Sequence, residues 1–242
     1  MPNNITNVIR FDCSEDRFRE IAEALKREGS YLGSVDFNKL IPMPKELDIP
    51  SGSLGITGYR MYREYLSEAE DVKDPALKQK IWESYEKRSE DAPEALKLGR
   101  QYYENIDKYG APTWYEWCCD NWGTKWNAYD CEKADLARKE LRFETAWSGV
   151  PAIIKRMSEK FPESEIDYAW ADEDIGRNVG RVICAGGKIK DIQVPEQGSK
   201  EAYEMSADII GFDLKDAGFE LTEDGKTYIY TEREDLFDPP ER

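Results

Sequence analysis

Glu140-Leu141-Arg142-Phe143-Glu144-Thr145 is the stretch whose pattern decides the fold. Leu141, Phe143 and Thr145 alternate with Glu140, Arg142 and Glu144, the two-residue period of a strand with one face buried. Pro151 follows where a helix begins, a position at which its missing N–H is harmless. Ile153, Ile154, Met157 and Phe161 then share a helical face, and Pro162 closes it. Ile166, Tyr168 and Trp170 alternate with Glu165, Asp167 and Ala169, so a second strand completes a βαβ unit.

A comparable unit opens the chain. Ile5, Val8, Ile9 and Phe11 form an extended apolar segment, and Ser14 offers an N-cap with Glu15 and Asp16 in the first turn. Phe18, Ile21, Ala22 and Leu25 follow at helical spacing, and Gly29 stops the helix. Residues 35–41 predict a second short strand, ended by Pro42-Met43-Pro44. Two such units make a ferredoxin-like split βαβ sheet, and helices on one face of an antiparallel sheet make the class α+β. This core is expected over residues 1–50 and 129–198.

Residues 51–128 read as a helical insertion ending in a Trp-rich segment. Ser51-Gly52-Ser53-Leu54-Gly55-Ile56-Thr57-Gly58 is a loop by composition. Helices are expected over 59–70, 75–88 and 93–109, the last two opening on Pro75 and Pro93. Further on, Gly186-Gly187 and Asp224-Gly225 each mark a hairpin between strand-like runs. A helix over 201–215 lies between the hairpins, within an acidic helix-hairpin extension at 199–242. Its tail from Thr231, containing Asp238-Pro239-Pro240, reads as a frayed end.

Charge and composition remove whole classes of function. The 242 residues carry 34 Lys and Arg against 50 Asp and Glu, a net charge of −16, and no histidine. Direct binding to nucleic-acid backbones or acidic lipid calls for clustered positive charge. Without histidine, the commonest general base and metal ligand are gone. No run approaches the eighteen or so apolar residues of a membrane span, and the first residues lack a signal-peptide pattern. Five cysteines, an odd number for this length, fit reduced thiols rather than a disulfide framework.

Few residue constellations point to catalysis. Cys118, Cys119 and Cys131 lack zinc-site spacing, and Asp172-Glu173-Asp174 lacks the spacing of a calcium loop. Cys13 or Cys119 as nucleophile would need an activating base. Two other features stand out. Trp114, Trp117, Trp122 and Trp126 fall within thirteen residues, either as an exposed aromatic platform with Lys125 and Asn127, or as rings that staple the insertion to the sheet. Residues 201–242 hold 13 acids against four bases, a net −9 of the total −16. Such a face either keeps the protein dispersed or competes for a surface that normally binds nucleic acid.

Three segments also carry a family resemblance. Phe37-Asn38-Lys39-Leu40-Ile41-Pro42-Met43-Pro44, Asn121-Trp122-Gly123-Thr124-Lys125-Trp126-Asn127-Ala128, and Phe143-Glu144-Thr145-Ala146-Trp147-Ser148 with Pro151 occur in that order. Over roughly residues 1–195 the chain resembles the YubB-like family of bacteriophages, plasmids and prophage regions. The resemblance implies a ferredoxin-like domain and a mobile-element origin, and it brings no catalytic residue. Asn3-Asn4-Ile5-Thr6-Asn7 departs from the family's more usual Asn-Trp-Cys-Glu-Asn-like opening, so any role of that Trp or Cys has no counterpart here.

The expected function is a non-enzymatic interaction protein of a phage or other mobile element, in the cytoplasm of a bacterial host. Its partner would be a host protein, in the sharper form a defence protein with a basic nucleic-acid-binding surface. The candidate surfaces are Trp122, Lys125, Trp126, Asn127 and Trp147, or Glu201, Glu204 and Asp208 in the acidic region. Neither a cofactor nor a metal is implied. The alternative is a nucleic-acid-binding module that stacks bases on Phe143, Tyr168 and Trp170, with Trp147 just beyond; the charge and the missing RNA-recognition pattern oppose it. A carboxylate-based enzyme ranks third.

Overall fold

A computed structural model describes residues 3–231 of the chain. The acidic tail expected to fray, with five of the thirteen C-terminal acids, lies outside the described residues. In chain order the elements are β1 (Asn4–Asp12), α1 (Glu15–Leu25), α2 (Ser53–Ala69), α3 (Pro75–Glu86), α4 (Ala92–Tyr109) and α5 (Trp114–Trp122). There follow β2 (Glu140–Ala146), α6 (Pro151–Lys160), β3 (Glu165–Asp172), β4 (Gly180–Ala185), β5 (Lys188–Gln193), α7 (Lys200–Ile210), β6 (Phe219–Leu221) and β7 (Tyr228–Tyr230). They group into two compact units, residues 43–121 and the remainder. The expected boundaries at 50/51 and 128/129 therefore differ from the observed ones by seven or eight residues.

The larger unit is α+β. Its five-stranded sheet runs β2-β1-β3-β4-β5 with every neighbouring pair antiparallel. Since β2 and β3 flank β1 and are both antiparallel to it, α6 carries the chain over β1 in a split βαβ crossover. One face of β1 presents Ile5, Asn7, Ile9 and Phe11, all buried. Phe11 meets Phe18 of α1 on that face. The other face receives α7, with Ala202 and Ile209 against Val8, Ala169 and Ala171. Helices thus cover both faces, not one, because small side chains on β3 let α7 approach.

The expected strand over 35–41 is instead a 3₁₀ turn at Phe37–Lys39. Two of its three amides are taken by side chains: Asp36 accepts from the Asn38 N–H, and Asn127 Oδ1 accepts from the Phe37 N–H at 2.9 Å. A backbone whose donors already have side-chain partners gains little from a ladder. Phe37 is fully buried, edge-on to Phe143 and Trp122. The outer edge of β2 is covered by residues 129–135 through backbone pairs such as Tyr129 with Glu144 and Asp135 with Glu140.

The smaller unit is helical, and its largest departure from expectation lies at 51–58. That segment is mostly the start of α2, which begins at Ser53. Glycine disfavours an isolated helix, so tertiary packing decides here. A Cβ on Gly58 would stand 1.7 Å from the Ala95 carbonyl oxygen, and one on Gly99 2.0 Å from the Gly58 carbonyl carbon. Paired glycines bring α2 and α4 into backbone contact. Tyr102 of α4 caps the arrangement, its hydroxyl donating to the Pro50 carbonyl at 2.6 Å.

Two substitutions test these constraints by urea unfolding. Gly58→Ala is expected to destabilise the helical unit by about 1–3 kcal/mol through overpacking, whereas at an unconstrained helical site the same change stabilises. Tyr168→Phe strips a buried hydroxyl from the Asn7 side chain and the Val150 N–H, which it joins at 2.7 Å each. Stranding both groups should cost about 2–4 kcal/mol.

Candidate functional site

The Trp-rich segment divides sharply by burial. Trp122 is buried and donates its indole N–H to the Ile41 carbonyl at 2.9 Å, so it belongs to the core. Asn127 is structural too: Oδ1 accepts from the Phe37 and Ala128 amides, and Nδ2 donates to Asp36. Trp126 and Trp147 are the exposed rings, at 41% and 45%. Between them lies the Lys125 ammonium, 3.7 Å from the Trp126 ring centroid and 4.1 Å from that of Trp147. The platform thus contracts to Lys125, Trp126 and Trp147.

Trp147 stands there through an uncommon backbone conformation, with φ of 70°. Its N–H donates to the Asn3 carbonyl at 3.0 Å, and its own carbonyl accepts from Asn178 at 2.9 Å. Asn178 also donates to Asp172, which accepts from Asn3 and from the Asp174 amide. Asp172, weighed in the sequence as a cation ligand, is therefore an anchor for this corner. On the other side, the Tyr129 ring meets Trp126 edge-on and its hydroxyl donates to Asn4 at 2.7 Å. Nothing in sequence spacing announces Tyr129, Asn178 or Asp172 as neighbours of Trp126 and Trp147.

The surroundings of this corner are acidic. Glu144 Oε1 accepts from the Thr6 hydroxyl at 3.2 Å, while Oε2 is buried with no hydrogen-bond partner among the described residues. Burial raises the Glu144 carboxyl above its ordinary range; the Thr6 bond opposes this, and Asp130 and Glu173 add to it. Burial likewise pushes the Tyr129 hydroxyl up to about 12, with help from Glu144, Asp130 and Glu173.

A second arrangement lies at the C-terminal side of the same unit. The β6–β7 hairpin packs on α7 through Tyr203, which meets both Phe219 and Tyr228. A cleft of about 540 Å³ opens there, with Phe212, Phe219 and Tyr228 among its walls and Glu204, Asp208, Asp213 and Glu220 around them. Lys215 is the single basic residue lining it. Glu204 accepts from the Tyr228 hydroxyl at 3.2 Å and lies 3.7 Å from Lys200. Asp213 caps the amides of Lys215 and Asp216. Of the acids singled out by sequence, Glu204 and Asp208 line the cleft; Glu201 is exposed elsewhere on α7.

Burial raises the thiols of Cys13, Cys131 and Cys184 and pushes that of Cys118 up to about 12, opposite to the activation a nucleophile needs. Among the described residues no three acidic or cysteine side chains converge on a point that would hold a metal ion. Phe143, Tyr168 and Trp170, the strand rings available for base stacking, are all buried. Among the described residues no helix is long and apolar enough to cross a membrane.

Part of this unit is similar to a described domain family. Residues 125–213, from Lys125 through α7, match a family model described as the ferredoxin-like domain in Api92-like protein. Among solved structures, the chain is similar to the crystal structure of a protein api92 from Yersinia pseudotuberculosis. That similarity has 10% identity and a TM-score of 0.33, covering 82% of this chain and 99% of the other. No curated protein matches the chain.

Glu144 provides a test of the acidic corner. Its folded-state pKa lies above the unfolded value, so ionising it as pH rises through that window opposes folding. Glu144→Gln is expected to raise Tm by roughly 2 °C at neutral pH. In a thermal scan across pH the gain should fade once pH drops below 4.5, where the unfolded chain's carboxyl is protonated too.

Proposed function

We propose that the chain is a non-enzymatic protein-binding module whose cleft between α7 and the β6–β7 hairpin takes a basic, partly apolar segment of another protein. The observation that carries this reading is the convergence of Glu204, Asp208, Asp213 and Glu220 around the rings of Phe212 and Phe219. Carboxylates at the rim and aromatic carbon in the walls match a segment that alternates cationic and apolar side chains. Complementary charge speeds such an encounter and selects its partner, while the aromatic walls supply desolvation. From Glu201 to Thr231 the sequence holds eight acids against two bases, Lys215 and Lys226, and even with Lys200 beside Glu204 the excess of negative charge favours a basic ligand.

The mobile-element resemblance sharpens the reading. A phage-type protein in the bacterial cytoplasm, presenting acids on an ordered scaffold, would compete with nucleic acid for a host protein's basic surface. Host defence proteins that grip nucleic acid are the class it suits. Direct nucleic-acid binding is less well supported, because the strand rings are buried and the cleft repels phosphate.

A labelled peptide alternating lysine with leucine, titrated by fluorescence anisotropy, tests the reading. Binding is expected at low salt and weakening at high salt. Asp208→Lys with Glu220→Lys should lower affinity about tenfold or more. Peptide binding untouched by this double reversal, or equal binding of a single-stranded oligonucleotide, would overturn it.

A further inference from the structure

We propose that the gap between Trp126 and Trp147 is a recognition site for the alkylammonium head of a partner's lysine, methylated or not, which Lys125 fills as an internal stand-in. The site shares no residue with the cleft and stands whether or not the cleft binds a basic segment.

The geometry already seats a cation. The Lys125 ammonium lies 3.7 Å from one indole centroid and 4.1 Å from the other, well inside the range of cation–π attraction. Both rings are substantially exposed, so a second cation has a path from solvent. Lys125 reaches the gap on a flexible four-carbon stem, and such a side chain leaves without moving backbone.

The rings themselves are held. Trp147 sits at φ 70° and is held there on both sides, its N–H donating to the Asn3 carbonyl and its own carbonyl accepting from Asn178. Strain of this kind persists where the surroundings over-determine it, and it clusters at ligand clamps. Trp126 rests edge-on against Tyr129, itself tied to Asn4. A clamp prepared in this way spends little of its binding energy on ordering.

Sign of charge selects the ligand. The groups acting on neighbouring Tyr129 are Glu144, Asp130 and Glu173, and Asp172 lies behind Asn178. These carboxylates favour an incoming cation and oppose a phosphate or carboxylate, so base stacking with a phosphate on Lys125 is the weaker use of the same rings. Weakly hydrated, methylated ammonium heads gain most from aromatic faces.

The test uses the full chain and its seven indole N–H signals in a two-dimensional nitrogen–proton spectrum. Tetramethylammonium chloride is titrated against matched sodium chloride, with N-acetyl-trimethyl-lysine and phosphocholine as parallel ligands. In the wild type, the Trp126 and Trp147 signals should shift with the first two ligands. Phosphocholine should bind more weakly than either, because its phosphate is repelled by the carboxylates around Tyr129. Lys125→Ala and Lys125→Gln, which remove the internal competitor, should respond at about tenfold lower cation concentration. Trp147→Gly, which removes a ring at a backbone position glycine accepts readily, should abolish the Trp126 shift. The other indole signals report that each variant is folded. Lysine variants no more responsive than wild type, or a Trp126 shift that survives Trp147→Gly, would overturn the proposal.

Discussion

Asn7 is an amide side chain on β1 with no exposure to solvent, and the neighbouring strands β2, β1 and β3 are organised around what it bonds. Its Oδ1 accepts from the Tyr168 hydroxyl, and its Nδ2 donates to Thr145 Oγ1 at 2.8 Å and to the Ile5 carbonyl. Tyr168 in turn accepts from the Val150 N–H, and Thr145 donates to the Ser148 carbonyl at 2.7 Å. Burial raises the Tyr168 pKa, which keeps the hydroxyl a donor and acceptor at once. A buried polar chain of this kind is costly when any link is missing. It therefore fixes the register of β1 against β2 and β3 and the point at which α6 begins.

The same chain determines where Trp147 stands. Thr145 holds the Ser148 carbonyl from one side, while the Thr124 hydroxyl donates to the Ala146 carbonyl at 2.8 Å and Asn3 receives the Trp147 N–H. With both neighbours anchored, residue 147 takes the left-handed conformation and its ring points outward. A feature of the core thus shapes an uncommon feature of the surface. The exposed tryptophan pair follows from the packing beneath it, and one of its members is strained because a buried network requires the residues on either side.

How much of this was readable depended on the distance over which each decision is made. The alternation at 140–145, the proline at 151 and the helical spacing of Ile153, Ile154 and Met157 are local, and β2, α6 and β3 lie where they point. Residues 35–41 are as apolar as a strand, but their fate rests on Asn127, some ninety positions away, whose side chain takes the Phe37 amide. Gly55 and Gly58 look like loop residues until Gly99 and Tyr102 are seen against them. The site divides in the same way. Clustered tryptophans and C-terminal acids are visible as composition, yet Trp122 and Trp126, four positions apart, differ in role because one reaches the Ile41 carbonyl and the other faces Lys125.

On the proposed reading, the two surfaces respond to different properties of one kind of ligand. The cleft acts through exposed carboxylates whose reach is set by ionic strength, so its attraction extends outward at low salt and collapses as salt rises. Indole faces act at contact and on a partly desolvated cation, a short-range interaction that salt screens far less. A partner that is merely basic would be drawn to the first and released by salt. One that also presents an accessible lysine head would be retained by the second. The acidic surface then governs encounter while the aromatic pair governs discrimination. That division assigns the net charge to the rate of association and leaves specificity to Trp126 and Trp147, whose positions the buried network has already fixed.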